Sequence, residues 1–194
     1  MANEEIIERI AEVNPVWAET MREHPTVFHW RPIPFYRKFQ LLSATVNLRR
    51  RTAGYRYADD GSRLFILRAT PEHIYQVNQL EGLQLDPSQV PDYVRFFFDN
   101  LTGPRIAIVE RPEEAPWFEP PDDDPEIRAR RADTASRIHP IRVTPEGDDY
   151  RVEATGVAGS ELVELDLGVK RDGHIDIRSQ RTVLEDIPVV EEWF

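Results

Sequence analysis

A chain of 194 residues with 40% hydrophobic and 30% charged side chains is apolar enough to fold, and it can bury roughly 70% of the surface its unfolded form exposes. It contains no cysteine, which excludes disulfides, thiolate nucleophiles, iron–sulfur clusters and cysteine-bound zinc. A formal charge of −11 repels phosphate backbones and anionic bilayers, so neither nucleic acid nor a membrane is an expected partner.

That charge is unevenly spread. Residues 1–111 hold 14 basic and 14 acidic side chains, while residues 112–194 hold 10 and 21. The basic set is 22 arginines with Lys38 and Lys170, a ratio that codon bias explains as well as anion recognition does. The opening MANEEIIERI is acidic and has no long apolar core, which argues against a signal peptide. No window approaches the ~20 apolar residues of a membrane span. The cytoplasm is the expected compartment.

In chain order, residues 3–23 read as helix. Asn3 is a fair cap, and Ile6, Ile10, Val13, Trp17 and Met21 form one apolar face. Pro15 interrupts it, so either the helix kinks there or Asn14 caps a second short helix. Residues 24–39, aromatic and proline-rich, fit neither period and read as an extended segment across the fold. Between Phe39 and Leu48 helical spacing competes with alternation, and the β-branched content favours a strand. Tyr55 to Leu67 is a hairpin turning at Gly61. Thr70-Pro71-Glu72 opens a helix that buries Ile74, Val77 and Leu80 and ends at Gly82.

The densest apolar run follows, VPDYVRFFFDNLTGPRIAIV at 90–109. It predicts a helix from the prolines near 87–91, stopped at Gly103-Pro104, then a buried strand. We expect this triple-phenylalanine helix to be the hub against which the later strands close. PEEAPWFEPPDDDPE, with five prolines and seven acids, resists packing, and a turn or two of helix from 127 to 135 is the most it suggests. From Ile141 a β-meander runs through turns at Gly147, Gly156–Ser160 and Gly173.

The sum is an α+β chain: N-terminal helices packed on one face of a mostly antiparallel, strongly bent sheet, with a C-terminal β-meander. The outline is similar to roll-like folds of the cystatin and nuclear-transport-factor kind, a likeness that implies no chemistry because such folds host enzymes and binders alike. We read residues 1–194 as a single domain. The segment 112–137 is its acidic connecting loop and a candidate subdomain boundary between 1–111 and 138–194.

No phosphate loop, dinucleotide fingerprint, zinc-protease helix, nucleophile elbow or calcium loop is present. No catalytic residue, metal ligand or cofactor is expected. His174 and Asp176 would share a strand face, but Gly173 places the histidine at a turn. His24 and His29 could meet in space, but their spacing is not that of a metal-ligand pair, and His73 and His139 read as solvent-facing. Asp122-Asp123-Asp124 reads as a solvated loop, since three adjacent acids between prolines do not converge on one ion.

The strongest ligand-binding candidates are His29, Trp30, Arg31, Tyr36 and Arg37, where rings stand beside cations in a way that suits an anionic or aromatic ligand. Arg49-Arg50-Arg51 with Tyr55, Arg56 and Tyr57 resembles a platform for single-stranded nucleic acid, against the sign of the global charge. Trp117 and Phe118 are large apolar residues in an acidic loop, and they either tuck back or anchor in a partner. Trp193-Phe194 poses the same choice, and 187–190 reads as an added edge strand. The expected function is a non-catalytic interaction module, meeting a protein partner or a second copy through the acidic C-terminal sheet and the aromatic loop. The alternative is a small-molecule binder or enzyme with a pocket between helices and sheet.

Overall fold

Antiparallel pairing sorts the strands into two sheets rather than one, and the computed structural model, which describes residues 2–67, 70–101, 106–119 and 124–190, divides between Leu83 and Gln84 into two compact units. The class is α+β with antiparallel sheets, as expected, but the single strongly bent sheet of a roll is not what the strands form. Among the described residues no helix is long and apolar enough to cross a membrane.

The first unit holds α1 (Ala2–Val13), α2 (Pro15–Glu23), β1 (Thr26–Pro32), β2 (Gln40–Asn47), β3 (Thr52–Asp59), β4 (Leu64–Ile66) and α3 (Pro71–Glu81). Its sheet order is β1-β2-β3-β4. The chain breaks at Pro15 by capping: the Asn14 Oδ1 accepts from Trp17 N at 3.2 Å and Pro15 starts α2. Ile6, Ile10, Ala18 and Met21 from the two helices then share one core with Leu42, Ala44, Val46 and Tyr57. The helices therefore cover one face of this sheet.

The segment after α2 departs from expectation. It is the edge strand β1, paired along its length with β2 from Thr26↔Val46 to Pro32↔Gln40. Its pattern was hard to read because only one edge and part of one face are covered, so Val27 points outward at 60% exposure. Pro32 sits at the strand's end, a place an edge strand tolerates. Ile33, Phe35, Tyr36 and Phe39 then turn inward and are buried.

The second unit holds α4 (Val90–Asp99), β5 (Ile106–Ile108), a 3-10 turn at Pro112–Glu114, α5 (Pro125–Arg137), β6 (Arg142–Glu146), β7 (Asp149–Ala158), β8 (Glu161–Val169) and β9 (Ile175–Leu184). The sheet runs β5-β7-β8-β9, and β6 also pairs with β7. Val90, Tyr93, Val94, Phe97 and Phe98 of α4 are buried. The Tyr93 hydroxyl donates to Gly173 O at 2.5 Å in the β8–β9 turn, and the Tyr150 hydroxyl to Leu85 O at 3.0 Å. The meander thus closes on the region of the aromatic helix.

The proline-rich stretch is more ordered than its composition suggests. Asp124 caps α5, its Oδ1 accepting from Glu126 N at 2.8 Å, and Pro125 occupies the first turn. Gly103, Pro104, Asp122, Asp123, Trp193 and Phe194 lie outside the described residues.

Candidate binding surfaces

Strand alternation gives the second sheet two unlike faces. Tyr150, Val152, Leu165, Leu167 and Val169 are buried on one. On the other, Arg151, Glu153, Thr155 and Val157 follow one another along β7, and β8 places Gly168, Asp166, Glu164 and Leu162 opposite them. The Val157–Leu162 end is roofed by Val109, Ala115, Ile138, Ile187 and Val189. The remainder is an open groove of about 460 Å³, lined chiefly by His139, Arg142, Glu153, Glu164, Asp166 and Arg181.

The groove's charges are largely compensated within the sheet. Arg151 grips Asp166 with two bonds of 3.1 and 3.0 Å and lies 3.4 Å from Glu153. Arg181 meets Glu164 at 2.6 Å. Arg178 pairs with Glu146 and lies flat over Gly168, where a Cβ would stand 3.0 Å from its Nε. Hydrogen bonding to Arg178 holds the Glu146 carboxyl below its usual range, and the bond to Asp166 raises Arg151.

The Thr155 hydroxyl stands 3.2 Å from His139 Nδ1, but Thr155 is fully buried, so no substrate reaches it. Among the described residues no group of three or more His, Asp or Glu is placed to hold a metal ion. What the arrangement can do is bind charge, since partly exposed ion pairs exchange partners at little energetic cost.

The residues singled out in the first unit do not converge. Trp30 faces the helices, its Nε1 donating to Asp59 Oδ2 at 2.9 Å, and is 41% exposed. His29 and Arg31 point to the other face, both exposed. The buried Tyr36 hydroxyl bonds Asn78, and Tyr36 packs on Phe35 with centroids 4.8 Å apart. Arg37 is exposed and its backbone N–H donates to Glu81. Of these five residues only Tyr36 is buried in a core, and only His29 and Arg31 point to the same open side of β1.

The arginine–tyrosine hairpin is split in the same way. Tyr55 stacks on Trp17 at 4.2 Å and Tyr57 is buried among the helices, so neither ring stands beside Arg56 on the outer side.

Trp117 tucks back. Its Nε1 donates to Pro112 O at 2.6 Å, its backbone bridges Val189, and the Arg131 guanidinium lies 5.0 Å from the ring centroid. Phe118 beside it remains 43% exposed. Residues 187–190 run along 116–118, touching through the single Val189 bridge, and do not extend the sheet.

No single motif marks the groove, because four strands each supply one to three of its residues and His139 comes from the segment before β6. The available signal was charge at alternate positions, Arg151 and Glu153 on β7 and Glu164 and Asp166 on β8, between apolar neighbours. No family model, curated protein or solved structure matches this chain.

Proposed function

We propose that the chain is a cytoplasmic, non-catalytic binding module whose second unit docks a basic polypeptide on the outward face of β6–β9. One observation carries the reading: this unit holds 25 Asp and Glu against 13 Lys and Arg, and its sheet lines an open groove with carboxylates from adjacent strands. A field of that sign draws in cationic segments and speeds their encounter. Lysines or arginines of the partner would then replace Arg151 and Arg181 at Asp166 and Glu164. Phe118 offers an apolar contact in the same unit.

Anisotropy titration of a labelled Lys/Arg-rich peptide tests this. Binding is expected at low salt and to weaken about tenfold at a few hundred millimolar, where the Debye length falls to roughly 5 Å. The E164Q/D166N variant is expected to bind several-fold more weakly with an unchanged circular dichroism spectrum. No binding at low salt, or binding indifferent to that variant, overturns the reading.

The groove volume supports a second reading. At about 460 Å³ it lies within the roughly 300–1,000 Å³ of small-molecule sites, and cations beside carboxylates suit a polar zwitterion. A thermal-shift screen against amino acids and short peptides separates the two.

A further inference from the structure

The first unit is nearly neutral, with 11 basic and 10 acidic side chains, yet its charges are sorted across the sheet. Six of its acids (Glu4, Glu5, Glu8, Glu12, Glu19 and Glu23) ride on α1 and α2, the layer over one face. The other face differs in kind. No position on this face of β1–β3 is Asp or Glu; at its Arg31 end Leu41 and Ala58 are buried, so the open part runs from Asn47 and Thr52 to the row of His29 and Arg56. His29, Ser43 and Arg56 stand in one cross-strand row. Arg31 lies beyond it, and Arg49-Arg50-Arg51 occupy the exposed β2–β3 turn.

The helix-side arginines are matched by acids, Arg9 by Asp59 and Arg22 by Glu4. Among the described residues no carboxylate pairs with Arg31, Arg49, Arg50 or Arg51. The floor between these cations is flat, because Gly54 has no side chain and a Cβ there would meet nothing within 4 Å. Val27, 60% exposed, and the Ser43 and Thr45 hydroxyls provide the rest of the surface.

We infer that the outer face of β1–β3 is a docking surface for an acidic polypeptide segment. The cations supply the charge complementarity and the strand geometry gives the surface an extended form. A base-stacking ligand is disfavoured by the orientation of the rings, since Trp30, Tyr55 and Tyr57 all turn to the helix side. The inference is independent of the groove in the second unit.

The test titrates the full chain with a labelled poly-glutamate peptide and, separately, with an oligo-thymidine of equal charge. Poly-glutamate is expected to bind at low salt and to lose about tenfold in affinity with R31S/R56S or with R49S/R50S/R51S, the range set by removing two or three screened surface charges. Gly54→Asp plants a like charge on the floor without a clash and is expected to weaken binding as strongly. Arg22→Ser on the helix side is expected to leave it unchanged. Absence of poly-glutamate binding, indifference to the three sheet variants, or tighter binding of the oligonucleotide overturns the inference.

Discussion

Replacing Asp59 by asparagine isolates one charge in the first unit. The carboxylate is 5% exposed and gathers the Arg9 guanidinium, Trp30 Nε1 at 2.9 Å and Gly61 N at 2.9 Å. Burial pushes its pKa up, but the bonds from Arg9, Trp30 and Gly61 outweigh that and hold it below the usual carboxylate value. A depressed folded pKa means that the stabilisation is complete above the unfolded value of about 3.9 and is lost as pH falls through the folded one. Asparagine keeps the outline and strands Arg9, whose side chain is 22% exposed and whose Nε already lacks a partner. Breaking a fully buried pair costs about 3–5 kcal/mol, and the partial exposure of Arg9 reduces this to about 2–3 kcal/mol. For a unit of this size that corresponds to a fall of roughly 10–20 °C in melting temperature. Urea and thermal unfolding, followed by tryptophan fluorescence and circular dichroism, read the difference at neutral pH and again in steps below pH 5. The gap between wild type and Asp59→Asn is expected to be widest near neutrality and to close in acid. A gap under about 0.5 kcal/mol, near the floor for surface substitutions, or one that ignores pH, refutes the reasoning.

Substitutions at three further positions probe packing and capping. At Gly156 a Cβ would run into the Ile106 Cγ2 methyl and sit 3.3 Å from Ala107 O, so Gly156→Ala is expected to destabilise by about 1–3 kcal/mol in urea unfolding, and a neutral result refutes the close approach of β5. Trp117→Ala removes a half-buried ring from the cluster around Val157 and Leu162 and is expected to cost about 2 kcal/mol, below the range for a fully buried tryptophan; Trp117→Phe should recover most of that in the same assay. Asn14→Ala should cost about 1 kcal/mol and Asn14→Asp almost nothing, measured by thermal unfolding.

The meander was legible because its turns demand a particular residue. Gly147, Gly159 and Gly173 adopt positive φ of 64°, 58° and 85°, which glycine alone takes up without strain. The turn expected at 156–160 is shorter, however, since Gly156 belongs to β7 and is needed there for Ile106. The α4 core was equally plain, as the buried Tyr93, Val94, Phe97 and Phe98 alternate at helical spacing with a polar stripe of Asp92, Arg95 and Asp99. Partition into two sheets was not legible. Which strands share hydrogen bonds depends on pairing between distant segments, and no local period encodes it. α5 had its start signal in Asp124-Pro125-Glu126, but the neighbouring acids disguised the cap as part of a charge run.

The site residues follow from the same cause. Without β1 recognised as a strand, nothing indicated that Trp30 and its neighbours His29 and Arg31 would point to opposite faces. The mixture of rings and cations therefore looked like one cluster. The charged rows of the second sheet were visible only in pieces, as an acid or an arginine at every other position, and acquire meaning once β7, β8 and β9 lie side by side.

The order of the strands also sets the order of assembly. In the first unit each strand neighbours the next in sequence, and β6 to β9 repeat that habit, so most hairpins can zip up as soon as both arms exist. β5 is the exception: Ile108 pairs with Gly156, 48 residues downstream, and closing a loop of that length costs about 3–4 kcal/mol of chain entropy before any contact repays it. The short strip 106–108 is accordingly the last piece to seat during refolding and the first to open, and hydrogen exchange at Ile106 and Ile108 should outpace that at Val152 and Leu165.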